Sequence, residues 1–178
     1  MTGPGAIDPC AEPGREVRAF VAIGSNVGDR AAHVDHAFAA LGGIRDTRVV
    51  ARSTVLETDP VGPPGQGPYL NAVAELRTRL SPRALLDAML AVERERGRDR
   101  SREVRFGPRT LDLDLLCWGP AEPGGTARIE ADGISVPHPR MGQRAFVLEP
   151  LAQLAPDLAE RARGSAGVHF DVGPGSRT

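Results

Sequence analysis

The chain has 178 residues, a formal net charge of −1 and 22 basic residues that are all arginine. This length fits one domain that buries its own core, and the near-neutral charge gives no field to attract nucleic acid or a membrane surface. The lack of lysine excludes a Walker-type phosphate loop and Schiff-base chemistry, so any bound phosphate must be held by guanidinium groups.

The termini and the cysteines bear on the compartment. Cys10 and Cys117 lack the spacing of a disulfide framework or a metal site. Residues 1–16 are rich in Gly and Pro and lack the apolar core of a signal peptide, so we predict a disordered tail there. No apolar run approaches the length of a membrane span. We therefore expect a cytoplasmic protein without a membrane or nucleic-acid partner.

The first half of the chain predicts three strands and one helix. Asp29 can cap the helix, and two glycines, Gly42 and Gly43, end it. The loop Gly24–Gly28 lacks the third glycine of a dinucleotide-binding fingerprint, and we interpret it mostly as a structural turn. A stiff, proline-rich loop over residues 59–68 precedes the third strand. The predicted strands are Val17–Ile23, Val49–Thr58 and Tyr69–Arg79.

The second half predicts a helix, a strand, a hairpin and a further helix. Ser81 and Pro82 supply the cap and the first residue of the second helix. The basic stretch Arg98–Arg105 has almost no apolar content and is predicted to be a mobile loop. Pro150 should break or kink the last helix. The remaining elements are a fourth strand over 110–116, a hairpin-like pair around 128–129 and 134–136, and the helix Arg144–Leu154.

The order of these elements, β-α-β-β-α-β, predicts an α+β fold of the ferredoxin-like type. Its antiparallel sheet would carry both helices on one face, with the C-terminal hairpin and helix as additions. The other face would be free to carry the loops 59–68 and 98–108. We expect a single domain over 17–163 and a loosely ordered tail over 164–178.

The stretch Phe106–Leu116 is the strongest candidate for a functional site. Its strict alternation places Asp112 and Asp114 side by side on one strand face and leucines on the other. Two adjacent carboxylates are costly when they are buried and unpaired, and Mg²⁺ removes that cost. A solvated strand face is the commoner origin of this pattern. Seven arginines between positions 94 and 109 favour the metal, because arginines and Mg²⁺ together neutralise phosphate groups. The alternative for the arginines is a solvated basic loop.

Two further groups of residues suggest ligand contacts. The loop Thr58–Pro68, with Tyr69 and Asn71, could form a rigid rim that hydrogen-bonds a flat heterocycle. Asn is disfavoured inside a strand, which points to function, but a proline-rich connection is the alternative. His138, fixed between two prolines near Arg140, is either a nucleotide-phosphate contact or a hydrogen-bonded structural residue.

A series of motifs in chain order is more specific than any one of these patterns. The motifs are Ala22–Asn26, Thr58-x-Pro60-x-Gly62, Tyr69–Ala72, Gly97-Arg98-x-Arg100, Arg105–Asp114, Val136–His138 and Arg144-x-Phe146. The series runs from about Arg18 to Pro156 and resembles the 6-hydroxymethyl-7,8-dihydropterin pyrophosphokinases of folate biosynthesis. The resemblance implies transfer of an intact pyrophosphoryl group from ATP to the hydroxymethyl group of the pterin, with release of AMP.

The resemblance also implies a role for each matching residue. Asp112 and Asp114 would hold two Mg²⁺ ions, while Arg98 and Arg109 would stabilise the transferring group in a monomeric enzyme. The pterin would be framed by Thr58, Asp59, Val61, Tyr69, Asn71, Phe106 and Phe146. ATP would be bound by Glu93, Arg100, Arg105, Ser135, His138 and Arg144.

Three positions depart from the pattern of that family. Phe106 stands where tryptophan is common, Gly133 where a basic side chain is expected, and Pro139 where an aromatic one is. The first departure should preserve stacking on the pterin, with a weaker ring quadrupole. The other two bear on contacts with ATP.

Two other functions are compatible with the carboxylates and the fold class. A Mg²⁺-dependent phosphohydrolase or nucleotidyltransferase would release phosphate or a nucleotidyl product without the pterin. A non-catalytic ferredoxin-like regulatory or RNA-binding module is the other alternative. RNA-binding modules of this type present aromatic side chains on the open sheet face, where this chain is expected to present Asp112 and Asp114 instead.

Overall fold

The computed structural model describes residues 15–101, 104, 106–119, 127–131 and 133–166, so most of the two predicted tails lies outside it. Within these ranges, no helix combines the length and the apolar character needed to span a membrane. The strands are β1 (Val17–Ser25), β2 (Thr47–Arg52), β3 (Leu56–Thr58), β4 (Tyr69–Thr78), β5 (Asp112–Gly119), β6 (Ile129–Ala131) and β7 (Ile134–Val136). The helices are α1 (Arg30–Gly43), α2 (Pro82–Glu95), α3 (Ala145–Leu154) and α4 (Pro156–Ala166).

Strand β1 lies between two partners in the main sheet and sets the register of the site. The sheet is antiparallel, with the order β2-β4-β1-β5, and β3 also pairs with β4. Gly24 of β1 is opposite Asn71 on β4 and opposite Asp112 on β5. These three residues therefore form a row on one face of the sheet. The short strands β6 and β7 pair with each other as a separate sheet.

Helices α1 and α2 cover one face of the sheet, because each buries an apolar stripe. The side chain of Asp29 accepts a hydrogen bond from the amide of Ala32 at 3.0 Å, and that of Ser81 accepts one from Ala84 at 3.2 Å. Both predicted helix caps are thereby confirmed. The core between these helices and the sheet includes Ile23, Val34, Phe38, Leu41, Leu85, Met89, Leu113 and Trp118.

The opposite face of the sheet is not free, contrary to the expectation from the sequence. Helices α3 and α4 pack over it and form a second core cluster. Strand β5 contributes both Leu116 and Cys117 to this cluster, because its pairing with β1 shifts register between Phe20 and Val21. The other members include Val73, Met141, Val147, Leu148, Leu151, Ala155, Ala159 and Ala162. The part of this face around Gly24 remains open.

Three elements differ from the sequence-based prediction. The predicted strand Val49–Thr58 is two strands, β2 and β3, which are separated at Ser53. There the amide of Val73 donates to the side-chain Oγ of Ser53 at 2.8 Å, and not to a backbone carbonyl, which interrupts the strand pairing. Of the break or kink predicted at Pro150, the break does not occur, because helix α3 continues through this residue. The sequence did not predict α4, which extends past Gly164 into the region expected to be loose.

The packing of α3 predicts the effect of truncating Leu151, which is 0% exposed. Leu151→Ala should lower the free energy of unfolding by about 2–5 kcal/mol, because it removes buried methyl groups and leaves a cavity under the helix. Val55→Ala, at an apolar side chain that is 45% exposed, is the control and should change it by about 0.5 kcal/mol or less. Denaturant unfolding measures both variants, and equally small changes would contradict the packing of α3 on the sheet.

Candidate active site

A cavity of about 290 Å³ opens where β4, β1 and β5 meet the start of α3. The row of Asn71, Gly24 and Asp112 contributes to its surface, and residues of the loop 59–68 also line it. Gly24 keeps the space open, because a Cβ there would lie 3.4 Å from Asn71 Oδ1 and 3.8 Å from Asp112 Cβ. A substrate can therefore approach the backbone of β1 closely.

The structure gathers the seven residues that the resemblance assigns to the pterin. All of them line the cavity: Thr58, Asp59, Val61, Tyr69, Asn71, Phe106 and Phe146. Nδ2 of Asn71 donates to Oγ1 of Thr58 at 2.8 Å, which leaves Oδ1 on the side of Gly24. The hydroxyl of Tyr69 donates to the carbonyl of Gly107 at 3.1 Å, so the strand β4 is bonded to the turn that carries Phe106.

Asp112 lies between two arginines. Its Oδ1 accepts from Nη1 of Arg98 at 2.5 Å, and its Oδ2 accepts from Nη1 of Arg109 at 2.8 Å. Burial alone would raise the pKa of Asp112, but the two guanidiniums outweigh burial and hold this pKa below its ordinary value. The carboxylate is therefore ionised at neutral pH.

Asp114, two residues along β5, contacts two residues near the start of α3. Nη1 of Arg144 donates to its Oδ2 at 3.0 Å, and Nε2 of His138 lies 3.8 Å from the same oxygen. Burial lowers the pKa of His138; Asp114 opposes this shift, while Arg144 and Arg140 add to it. The amide of Arg140 donates to Nδ1 of His138 at 3.2 Å, so the proton of the neutral ring sits on Nε2.

Glu93 and Arg98 form a buried ion pair behind Asp112, with side chains that are 1% and 3% exposed. Nη1 of Arg98 donates to Oε1 of Glu93 at 2.5 Å. Glu93 also accepts from the amide of Leu113 and from Arg100, both at 2.8 Å. Burial raises the pKa of Glu93, while the guanidiniums and the Leu113 amide oppose that shift. Glu93 thus ties the end of α2 to β5 and holds Arg98 against Asp112.

Several predicted site residues do not line the cavity. Glu93 is buried and accepts a hydrogen bond from Arg98. Arg98 contacts Asp112 from behind, and Arg100 extends from Glu93 with its side chain 52% exposed. The hydroxyl of Ser135 donates to Glu130, on the neighbouring strand, at 2.8 Å. His138 is likewise outside the cavity lining, and Arg105 lies outside the described residues.

Sequence reasoning missed cavity residues on β1 and in the turn before α3. The guanidinium of Arg140 lies 5.2 Å from the centroid of the Phe106 ring, and that of Arg144 lies 5.7 Å from the Phe146 ring. Each aromatic wall therefore has a cation over its ring. In the sequence, the turn at His138 with a proline on each side was the feature that could have indicated that Arg140 lies near the site. The other missed lining residues are Ala22, Ile23, Gly24, Ala72, Gln143 and Val147.

Asp112 and Asp114 have the chemistry of a Mg²⁺ site. Both carboxylates line the cavity from the same face of β5, and they offer only oxygen donors. Among the residues that the structure describes, no group of three His, Cys, Asp or Glu could hold a metal ion. A pair of carboxylates suits Mg²⁺, which retains water and takes further ligands from substrate phosphates.

A pocket that combines aromatic walls, an amide anchor, paired carboxylates and arginines is typical of an enzyme that transfers a phosphate-derived group to a flat substrate. The family model for 7,8-dihydro-6-hydroxymethylpterin-pyrophosphokinase (HPPK) matches residues 20–156. The chain belongs to this family. It is therefore an ATP-dependent pyrophosphokinase, a transferase of folate biosynthesis.

Curated relatives and a solved structure agree with the family. The 2-amino-4-hydroxy-6-hydroxymethyldihydropteridine pyrophosphokinase of Pseudomonas aeruginosa is 45% identical over 141 residues, which cover 79% of this chain and 82% of that protein. The enzyme of the same name from Bacillus subtilis is 42% identical over 144 residues, 81% of each chain. A solved HPPK-DHPS structure in complex with substrates has a TM-score of 0.58 at 11% identity. The match covers 85% of this chain but 44% of that longer one, and it supports the fold.

The two histidines His33 and His138 predict how stability depends on pH. Burial lowers the pKa of each below 6.5 in the folded protein; at His33, Arg96 adds to this shift and donates to Nδ1 at 2.9 Å. Below about pH 6.5 the unfolded chain therefore binds protons more readily than the folded one, and the free energy of unfolding should fall as the pH decreases.

Denaturant unfolding at pH 7.5 and at pH 5.5 measures this loss. His33→Asn and His138→Asn should each show a smaller loss than the unsubstituted protein, because the substituted side chain takes up no proton. A loss of the same size in both variants would show that these histidines do not cause it.

Proposed function

We propose that this cavity binds the pterin together with the reacting phosphates of ATP. The protein transfers pyrophosphate from ATP to the hydroxymethyl group of 6-hydroxymethyl-7,8-dihydropterin. The assignment of the site depends mainly on one observation: Asn71, Gly24 and Asp112 form a row across three adjacent strands. Because Gly24 has no side chain, one flat ligand can contact the amide of Asn71 and still place its reacting group near Asp112.

The pterin lies between aromatic walls in this proposal. Phe106 and Phe146 offer ring faces for stacking, and Asn71 offers a side-chain oxygen whose orientation Thr58 fixes. Asp59 and Val61, from the loop 59–68, line the same cavity and complete the rim through their backbone groups. This arrangement recognises the shape of the heterocycle and its hydrogen-bonding edge.

Arg109 stabilises the group in transfer, because it lines the cavity and is bonded to Asp112. Unlike Arg109, Arg98 does not line the cavity. It is bonded to Asp112 from the protein interior, and 3% of its side chain is exposed. It reaches a phosphate oxygen only by exchanging its bond to Asp112 for one to the substrate. Until then it keeps the Asp112 carboxylate oriented and ionised.

The triphosphate of ATP lies on the side of Asp114. Arg144 lines the cavity there and donates to Asp114, while Nε2 of His138 lies 3.8 Å from the same carboxylate. Arg100, Arg105 and Ser135 are assigned to ATP by family resemblance, without a cavity contact. Glu93 supports Arg98 and Arg100 from within the protein.

In this proposal Asp112 and Asp114 hold two Mg²⁺ ions, since both carboxylates line the cavity. When bound, Mg²⁺ neutralises the charge of the phosphates and of the pterin hydroxyl oxygen. The arginines and carboxylates of the chain set the position of these charges. Water is kept from the reacting group by the aromatic walls of the cavity.

We also propose a ferredoxin-like arrangement in which the β6–β7 pair, α3 and α4 are additions. Strands β2, β4, β1 and β5 with helices α1 and α2 have the order that this arrangement requires. The enzyme should act as a monomer in the cytoplasm, where ATP is available, because one sheet and the helix α3 packed against it already form the proposed site. Light scattering should give the mass of one chain, and a dimer mass would contradict the monomer.

The proposed reaction predicts its products and its loss on carboxylate substitution. With ATP, Mg²⁺ and the reduced pterin, the nucleotide product should be AMP and should require the pterin. Asp112→Asn and Asp114→Asn should each lower kcat by about 100- to 1,000-fold, because they remove charge that faces the phosphates.

Asp87→Asn is the matched control for this experiment, since Asp87 pairs with Arg83 on the surface of α2 and its side chain is 53% exposed. It should retain full activity. Formation of ADP, or of phosphate without the pterin, would favour a phosphohydrolase or another kinase reaction. Near-normal rates for either carboxylate variant would contradict the proposed metal site.

A further inference from the structure

We propose that Asn26 is a positioning residue that joins Arg109 and the pterin-facing loop 59–68 into one unit through Gln66. Asn26 follows β1, is 8% exposed and is outside the cavity lining. Its effect on the reaction therefore passes through the residues that it holds. The proposal rests on the proposed role of Arg109 in pyrophosphoryl transfer.

The turn Phe106–Thr110, which carries an aromatic wall and an arginine of the site, is held largely by other segments. The hydroxyl of Ser25 donates to the carbonyl of Thr110 at 2.6 Å, and the hydroxyl of Tyr69 donates to that of Gly107 at 3.1 Å. The position of this turn therefore depends on β1, on β4 and on the loop between β3 and β4.

Asn26 uses both ends of its side-chain amide in this contact. The backbone amide of Arg109 donates to its Oδ1 at 2.7 Å, and the backbone amide of Asn26 donates to the carbonyl of Arg109 at 3.0 Å. Nδ2 of Asn26 donates to Oε1 of Gln66 at 3.2 Å and to the carbonyl of Gly67 at 3.3 Å. Arg109 supplies a donor and the loop supplies two acceptors, so the site requires an acceptor and a donor on one short side chain. An amide meets that requirement.

Gln66 completes the connection back to the same turn. Its Nε2 donates to the carbonyl of Phe106 at 2.8 Å and to that of Pro63 at 3.1 Å. Gly62 packs so closely here that a Cβ would lie 2.5 Å from the carbonyl oxygen of Phe106. One chain of hydrogen bonds thus runs from the backbone amide of Arg109 through Asn26 and Gln66 to the carbonyl of Phe106, and both ends of this chain lie in the same turn.

This connection links the contacts of one substrate to the group that acts on the other. The loop carries Asp59 and Val61 into the pterin side of the cavity, and the turn carries Arg109 to the phosphate side. Displacement of the loop would move the backbone of Arg109, and small misplacement of a catalytic group costs rate rather than fold stability. Asn26 should therefore affect kcat more than binding of either substrate.

Asn26→Asp tests this role with little change in size. The carboxylate still accepts from the amide of Arg109, but it replaces the Nδ2 donor with an oxygen that faces two acceptors on the loop. We expect kcat to fall about 10- to 100-fold, with a smaller rise in the KM of the pterin. A kcat within about twofold of the unsubstituted enzyme would overturn the proposal.

Gln153→Glu is the matched control. The side-chain amide of Gln153 also joins distant segments, since Thr54 donates to its Oε1 from the backbone amide at 2.9 Å. Its Nε2 donates to Oγ1 of Thr54 at 2.9 Å, and neither residue lines the cavity. The same change from amide to acid at this position should leave kcat within about twofold. An equal loss of kcat in this control would show that breaking any side-chain bond between distant segments has this effect, and would overturn the specific role of Asn26.

Gln66→Glu provides a second variant in case Asn26→Asp does not fold, because Gln66 lies on the surface loop and is only partly buried. It should lower kcat in the same way by removing the donor to Phe106. Asn26→Ala combined with Gln66→Ala should lose about as much kcat as the worse single variant, since both break one connection. Losses that multiply would indicate two independent contacts and would overturn the proposal.

Arg109→Ala distinguishes a failure of the role proposed for Asn26 from a failure of the role proposed for Arg109. If it lowers kcat while Asn26→Asp and Gln66→Glu do not, the positioning role is wrong and the role of Arg109 stands. If Arg109→Ala leaves kcat unchanged, the proposed role of Arg109 fails, and the role of Asn26 fails with it.

Discussion

Two guanidiniums hold the carboxylate of Asp112, and the geometry of the site depends on that contact. Asp112 would otherwise stand beside Asp114 with its charge unbalanced, which is unfavourable in a partly buried position. Arg98 and Arg109 supply the balancing charge, and Glu93 in turn balances Arg98. Negative and positive groups thus alternate from the end of α2 to the cavity. Because arginine stays protonated at all relevant pH values, the positive groups in this order keep their charge.

The backbone of β1 explains why the two halves of the site meet. A strand between two antiparallel neighbours places one residue of each partner on either side of its own, and at Gly24 these partners are Asn71 and Asp112. The missing side chain leaves room for a substrate between them. Helix α3 then brings Phe146 and Arg144 to the same opening from the opposite layer. The proposed contact for the heterocycle and the proposed carboxylate for the phosphates consequently share one rigid support.

The sequence predicted the parts of the molecule that follow from local patterns. Alternation located Asp112 and Asp114, and capping residues located both helices of the first layer, since these signals act over a few residues. Helix α4 was missed because the side chains that it buries fully are small, Ala159 and Ala162. The role of Glu93 depends on neighbours that only the fold brings together, so the sequence could assign it a ligand but not a buried support. The same holds for Asn26, whose partners lie 40 and 83 positions away.

The central claim is that one cavity holds the heterocycle at Asn71 and the phosphates at Asp112 and Asp114. A crystal structure with an unhydrolysable ATP analogue, Mg²⁺ and the pterin would test it most directly. The pterin should lie between Phe106 and Phe146 with its hydroxymethyl group toward Asp112. Metal ions should lie at Asp112 and Asp114, beside the phosphates of the analogue. A pterin bound elsewhere, or metal ions bound away from Asp112 and Asp114, would contradict the account.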